Sequence, residues 1–301
     1  MARADDRVAV RKTHKLFIGG AFPRSESGRT YEALDHKGGF VANMAKASRK
    51  DSRDAVRSAR SAFSGWSTRT PYNRGQILYR VAEVMEDRRD QLVAQVRQAD
   101  GSSAKKADAV VDATIDRVVW YAGWTDKFGQ VLGNANQVSG PFFNHSAPEP
   151  TGVVAVVAPQ GGSAGPRSAD GQSPLLGLVS TVLPAITTGN TVVAVASEAH
   201  PIPAVTLAEV MATSDLPAGV VNLLTGSPAE IVPWLATHLD VDALDLTGVD
   251  DPELARSLES DAAGDLKRVR RPADEDFLAE PTIDRLAQWT EIKTVWHPIG
   301  V

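Results

Sequence analysis

The chain has 301 residues, 43% of them hydrophobic, and a formal net charge of −5. That length supports a sizeable core in one or two domains, and the mild acidity excludes a global basic footprint for nucleic acid. No cysteine occurs in the 301 residues, which excludes disulfides, thiolate metal sites and covalent catalysis through sulfur.

Residues 1–14 are expected to form a mobile polar tail, because they are charged and lack the apolar core of about 7–15 residues that a secretory signal needs. No uncharged run approaches the roughly 20 residues of a membrane span, so a cytoplasmic protein is expected. The six histidines (14, 36, 145, 200, 238 and 297) stand singly, without ligand spacing, and predict no metal site.

Leu16-Phe17-Ile18, with a turn at Gly19-Gly20, reads as a short strand, and Thr30–Leu34 as a second one forming a hairpin with it. Helices are expected over Lys50–Trp66, capped by Asp51 or Ser52, over Tyr72–Gln98, and over Ser103–Phe128. Trp120, Tyr121 and Trp124 on the third are read as interhelix packing. The period then changes. Gly152–Ala158, Thr191–Val195, Val220–Leu224 and Ala243–Leu246 are short apolar runs typical of strands buried on both faces. They alternate with helical segments at Leu175–Ile186, Pro203–Thr213 and Ile231–His238, which predicts an α/β fold built on a doubly wound parallel sheet. Asp250–Ala279 has few large apolar residues and reads as a charged helix or linker, standing as a linker in the domain plan. Lys267–Arg271 is its basic cluster, expected to be a solvated face, with docking to an acidic patch as the other use.

Between Thr151 and Gly248 the segments TGVVAVVAP, PLLGLVSTVLPAITTGNTVV, Ser197-Glu198, LPAGVVNLLTG and VDALDLTG follow one another. In that order they resemble the Rossmann-type NAD-binding domain of the aldehyde dehydrogenase superfamily. LFIGGAF, the Phe63-Ser64-Gly65-Trp66 helix end, Tyr121-Ala122-Gly123 and the segment Leu286–Trp296 agree with the same resemblance. It implies N-terminal hairpin and helices over 15–150, a degenerate cofactor layer over 151–249, the linker at 250–281 in place of the catalytic domain, and a C-terminal helix and oligomerisation strand over 282–301.

The departures matter most. The family nucleophile is a cysteine, and none is present. Its Trp-Asn pair is Gln160-Gly161 here, followed by a Gly/Ser-rich insert. Its Lys-Pro before Ser-Glu is Val195-Ala196, and its Phe-Thr-Gly-Ser is Leu246-Thr247-Gly248-Val249. Its Glu in Leu-Glu-Leu-Gly-Gly-Lys has no alignable counterpart. No catalytic residue is therefore expected. Gly161–Gly165 also fits a G-x-S-x-G hydrolase elbow, but Pro166–Gly171 favours a loop where an elbow requires a helix.

Ser197, Glu198, Gly226 and Gly248 match the family's cofactor positions and imply weak NAD(P) binding or none, the more so if the insert at 160–173 fills the crevice. The resemblance extends to the non-catalytic half of the two-unit chains of aldehyde dehydrogenase family 16. It implies a non-catalytic subunit that assembles with an active, full-length aldehyde dehydrogenase, or with itself. The contacts are expected from Leu16, Phe17 and Ile18 and from Ile292, Lys293, Thr294, Val295 and Trp296, an unpaired strand that favours a partner. The alternatives are an NAD(P)-binding sensor and a residual NAD-dependent oxidoreductase. Neither nucleic acid nor membrane is expected as a partner.

Overall fold

The computed structural model describes residues 10–161, 173–273 and 275–300. In chain order the N-terminal elements are β1 (Thr13–His14), β2 (Thr30–Leu34), β3 (Phe40–Ala45), α1 (Arg49–Ser67), α2 (Pro71–Asp87), α3 (Arg89–Asp100), α4 (Ala104–Trp124) and α5 (Phe128–Leu132). Next come β4 (Asn134–Asn136), β5 (Phe142–Pro150), β6 (Val153–Val157), α6 (Pro174–Thr187), β7 (Thr191–Val195), α7 (Ile202–Ala212), β8 (Val221–Leu224) and α8 (Pro228–Ala236). The chain continues through β9 (Ala243–Asp245), α9 (Pro252–Ala263), β10 (Arg268–Arg270) and α10 (Asp284–Gln288) to β11 (Thr290–Pro298).

The centre is a five-stranded parallel sheet in the order β10-β9-β6-β7-β8, the doubly wound α/β arrangement expected from the buried apolar runs. Within VVAVV every side chain is buried, yet the period of two still sorts them. Val154 and Val156 join the cluster formed with α2, α3, α4, α6 and α7, while Val153, Ala155 and Val157 join the one formed with α1, α8 and α9. All fourteen residues of α6 are buried, which explains why its sequence shows no polar stripe.

Several expectations are corrected. The α1 cap is Ser48, not Asp51 or Ser52. Its hydroxyl accepts from the Asp51 amide at 3.3 Å while the Asp51 carboxylate accepts from the Ser48 amide at 2.8 Å, a reciprocal box that satisfies two otherwise orphaned donors. The second helix breaks at Arg88 (φ −101°, ψ 16°) into α2 and α3, and the third ends at Trp124. Tyr121 is buried in the core cluster shared with α2, α3 and α6, and Trp120 and Trp124 pack partly buried against it, which is the interhelix packing expected of them.

No Leu16–Ala33 hairpin forms. Phe17 bridges Leu223, Ile18 turns back on Ala21, and β2 pairs instead with β3. The stretch read as a charged helix or linker is helical in α9 and no linker, for it goes on to form β10, which supplies the sheet's edge strand beside β9. The parallel layer therefore runs through Arg270 and does not stop at 249.

A separate three-stranded antiparallel sheet, β11-β5-β4, lies apart from the parallel one. The two meet near Asn190, which is fully buried. Its side chain accepts from the Gly152 amide at 2.7 Å and donates to Ala185 O, Thr188 Oγ1 and Trp289 O. This one amide joins the start of β6, the end of α6, the start of β7 and the entry to β11.

Candidate functional site

In a doubly wound sheet, ligands bind in the crevice outside the carboxyl ends of the strands. The four predicted residues all lie on that edge. Ser197 and Glu198 follow β7, Gly226 follows β8 and Gly248 follows β9. The structure thus gathers positions that span about fifty residues of sequence.

Their local chemistry differs from one to the next. The buried Ser197 hydroxyl is held between the Gln160 carbonyl, to which it donates, and the His200 amide, from which it accepts at 3.1 Å. Gln160 also takes the Glu198 amide on its side-chain oxygen at 2.9 Å and donates to Ala158 O at 2.7 Å. The residue at the family's Trp position therefore laces the ends of β6 and β7 together. Gly248 is dictated by packing, because a Cβ there would lie 1.9 Å from the Ala158 carbonyl oxygen. Gly226, at φ +129°, faces its own chain: Ala47 N, Ile231 Cδ1 and Lys46 Cγ all lie 3.4 Å from the place of a Cβ. Above it Lys46 pairs with Glu230 at 2.6 Å.

Tyr31, on β2, also reaches this crevice and was not among the predicted residues. Its hydroxyl is buried without a well-formed hydrogen bond. Burial first, and then the charge of Glu198, raise its pKa, opposed by the Gly226 backbone. A buried hydroxyl beside a half-buried carboxylate is what a ligand's hydroxyl group would complete. The residues at the other end of the crevice do not offer such groups. Val195 and Val249 are 0% and 2% exposed and belong to the core. Tyr31 and Glu198 therefore bring polar groups to the crevice, whereas the side chains of Val195 and Val249 are apolar. The insert proposed to fill the crevice, and with it the G-x-S-x-G pattern, lies outside the described residues at 162–172.

A second site was invisible as such in the sequence. At the end of β9, Asp245 is fully buried and meets Arg285 of α10 at 2.8 Å. Arg285 also bonds Glu275 at 2.8 and 3.0 Å and reaches Thr247 Oγ1 at 3.2 Å, while Glu275 takes Arg270 at 2.5 Å. Thr247 supplies its amide and hydroxyl to Asp245. Burial alone would raise the Glu275 pKa, but Arg285 and then Arg270 hold it below the usual carboxylate value. The signal available beforehand was an Asp in the middle of the apolar run VDALDL; the position of Arg285 was not inferable. Among the described residues no cluster of metal-ligating side chains exists, and no helix is long and apolar enough to cross a membrane.

The residues expected to make assembly contacts separate into two groups. Leu16 and Phe17 are 0% and 4% exposed, and pack in the chain's own core. Ile292, Val295 and Trp296 are at least half exposed, and Lys293 and Thr294 are exposed beside them. Their strand is not unpaired, as expected, but bonded along its length to β5. Among the described residues no strand pairs with its other edge, where Arg268 takes the Thr290 carbonyl at 2.9 Å. Thr151 donates to Trp289 O and Ile299 donates to Pro141 O, which fixes the odd-numbered residues as the bonded ones. In an antiparallel ladder the alternate residues then point their amides and carbonyls away. Ile292 and Thr290 face Pro148 and Pro150, which have no amide proton to give.

The family model described as aldehyde dehydrogenase family matches residues 23–271, and the chain belongs to that family. It is 30% identical over 266 residues to the cytosolic aldehyde dehydrogenase 1 of Elephantulus edwardii, covering 85% of this chain and 49% of that one. It is 32% identical over 262 residues to an aldehyde dehydrogenase of Alternaria alternata, covering 84% and 49%. The structure of an aldehyde dehydrogenase from Bacillus cereus in complex with NAD+ superposes with a TM-score of 0.76 at 26% identity, covering 86% of this chain and 50% of that one. The chain spans about half the length of the curated relatives it matches. The match through residue 271 includes α9 and β10, in agreement with their place in the sheet.

Proposed function

We propose that this chain is a non-catalytic member of its family, resembling the non-catalytic half of aldehyde dehydrogenase family 16, which assembles with an active, cysteine-bearing aldehyde dehydrogenase in the cytoplasm. The observation that carries this reading is the open edge of β11, with Ile292, Trp296 and the neighbouring Val295 and Ile299 each at least half exposed. An exposed apolar edge strand favours the addition of a strand from another chain. The reading is further supported by chemistry: the family reaction requires a thiolate, and none of the 301 residues is a cysteine.

The test is Ile292→Pro. Proline at 292 removes a donor from the open edge only, since the pairing with β5 runs through residues 291 and 293. The variant should keep its far-ultraviolet circular dichroism and lose co-elution with a full-length aldehyde dehydrogenase from the same genome. Full co-elution of a folded variant contradicts assembly through this edge.

The second reading, an NAD(P)-binding sensor, draws on Tyr31 and Glu198, the two polar groups free to serve a ribose. It predicts nucleotide binding by the isolated chain that is lost in Glu198→Ala.

A further inference from the structure

Helix α1 carries Arg49, Arg53, Arg57 and Arg60, and their spacings of four, four and three place them on one helix face. Arg60 is committed to Asp240 and Asp242. Arg53 meets only the adjacent Asp54, and Lys50 meets Glu26 at 3.2 Å. Arg49 and Arg57 have no carboxylate partner among the described residues. This is a second basic surface besides Lys267–Arg271, and all four cations of that other cluster are ion-paired.

Where this face meets the end of α8 there is a cavity of about 530 Å3, lined among others by Arg49, Lys50, Arg53, Trp234, Thr237 and His238. Its lining holds three cations and one carboxylate, Glu26; Lys50 pairs with Glu26, and Arg53 with Asp54 outside the lining. The guanidinium of Arg49 lies 4.3 Å from the centroid of the Trp234 ring, and that ring is 42% exposed. A guanidinium positioned by an aromatic ring instead of a carboxylate is oriented but not neutralised, so its donors remain available to an anion. His238 accepts the Asp240 amide on Nδ1 at 3.1 Å, and Nε2 is then the nitrogen that carries the proton and can donate. Of the first-turn amides of α1, that of Asp51 is taken by the Ser48 hydroxyl.

We propose that this cavity binds a small organic phosphate bearing a planar ring, of the nucleoside monophosphate class. The ring extends the Trp234–Arg49 stack, and the phosphate sits among Lys50, Arg53 and the edge of Arg49. The volume suits a ligand of that size, and stacking on Trp or Arg together with guanidinium–phosphate bonding is the usual chemistry for such molecules. The site is separate from the crevice beside Glu198 and does not depend on the reading given for it.

The experiment titrates the full chain with adenosine monophosphate, followed by calorimetry and tryptophan fluorescence, with adenosine and inorganic phosphate as the two half-ligands. One saturable site at least tenfold tighter for the nucleotide than for either half is expected. Trp234→Leu and Arg49→Gln should each weaken it about tenfold or more, and Glu198→Gln should leave it unchanged. Both α1 and α8 positions are solvent-accessible, so thermal melts of these variants should match the parent; Arg49→Gln carries the test if the Trp234 variant unfolds. The proposal is overturned if no saturation occurs up to millimolar nucleotide or if inorganic phosphate binds equally well. It is also overturned if binding survives Trp234→Leu but is lost in Glu198→Gln, which would place the ligand in the crevice.

Discussion

Replacing Arg285 by Met leaves Asp245 as a carboxylate with no exposed surface and no cation. In the parent the side chains of the pair are 8% and 0% exposed and their polar atoms are 2.8 Å apart. After the change, among the described residues, the amide and hydroxyl of Thr247 are what still donates to Asp245. Breaking a buried pair from one side costs about 3–5 kcal/mol. Asp245→Asn should cost less, about 1.5–3 kcal/mol for a lost charge-assisted bond, because Glu275 continues to neutralise Arg285. The double variant should recover most of the Arg285→Met loss, since a buried pair replaced on both sides by neutral groups is close to neutral. Urea unfolding of the parent, both single variants and the double variant measures the coupling directly. An Arg285→Met cost below about 1 kcal/mol, against the 3–5 expected, refutes the buried-charge reasoning. The linkage of Glu275 gives a second check. Its folded pKa is depressed, so its contribution is present above the unfolded carboxylate value and is lost as pH falls through the folded one. In the Arg285→Met variant that acid-range loss should shrink.

Calorimetry with NAD and NADP on the isolated chain should give weak binding or none. The apolar Val195 and Val249 remove one charge-assisted and one neutral contact, worth roughly 100-fold in affinity, and a low-micromolar dissociation constant would contradict this. The purified chain alone should oxidise no aldehyde with either nucleotide above a protein-free blank; reproducible turnover from independent preparations would overturn the non-catalytic reading. Gly248→Ala should destabilise by at least about 2 kcal/mol in urea melts, because its methyl group would meet the Ala158 carbonyl and overpacking costs of that order are typical; a parent-like midpoint would show that the strand ends can part.

The parallel sheet was legible because residues such as Val153–Val157 and Thr191–Val195 are buried on both faces, and an uninterrupted apolar run of five reports that environment directly. β10 was not legible for the opposite physical reason. An edge strand of sequence Arg-Val-Arg is covered on one side only and has a single apolar residue, so it looks like linker. The break at Arg88 was hidden because the apolar period continues from Met85 to Leu92 with neither Gly nor Pro between them. The crevice residues were legible as a motif, since Ser197, Glu198, Gly226 and Gly248 each sit at a strand's end. Tyr31 was not, because it enters from a strand more than a hundred residues upstream, and no local pattern announces such a contact. The arginine face of α1 follows from simple spacing, but in the sequence its cations are diluted by Asp51, Asp54 and the alanines, whereas Lys267–Arg271 draws attention by crowding four cations into five residues.

Asn190 sets an order of events during synthesis. Its side-chain amide donates to the carbonyl of Trp289, which lies 99 residues further along the chain. At the usual translation rate of about 5–20 residues per second, that carbonyl leaves the ribosome at least several seconds after Asn190 does. Through that interval β6, α6 and β7 can associate with the Asn190 amide held by Ala185 O and Thr188 Oγ1, but the place that Trp289 fills beside them is open. The contact between the start of the parallel sheet and Trp289 is therefore among the last to be made, when α10 arrives.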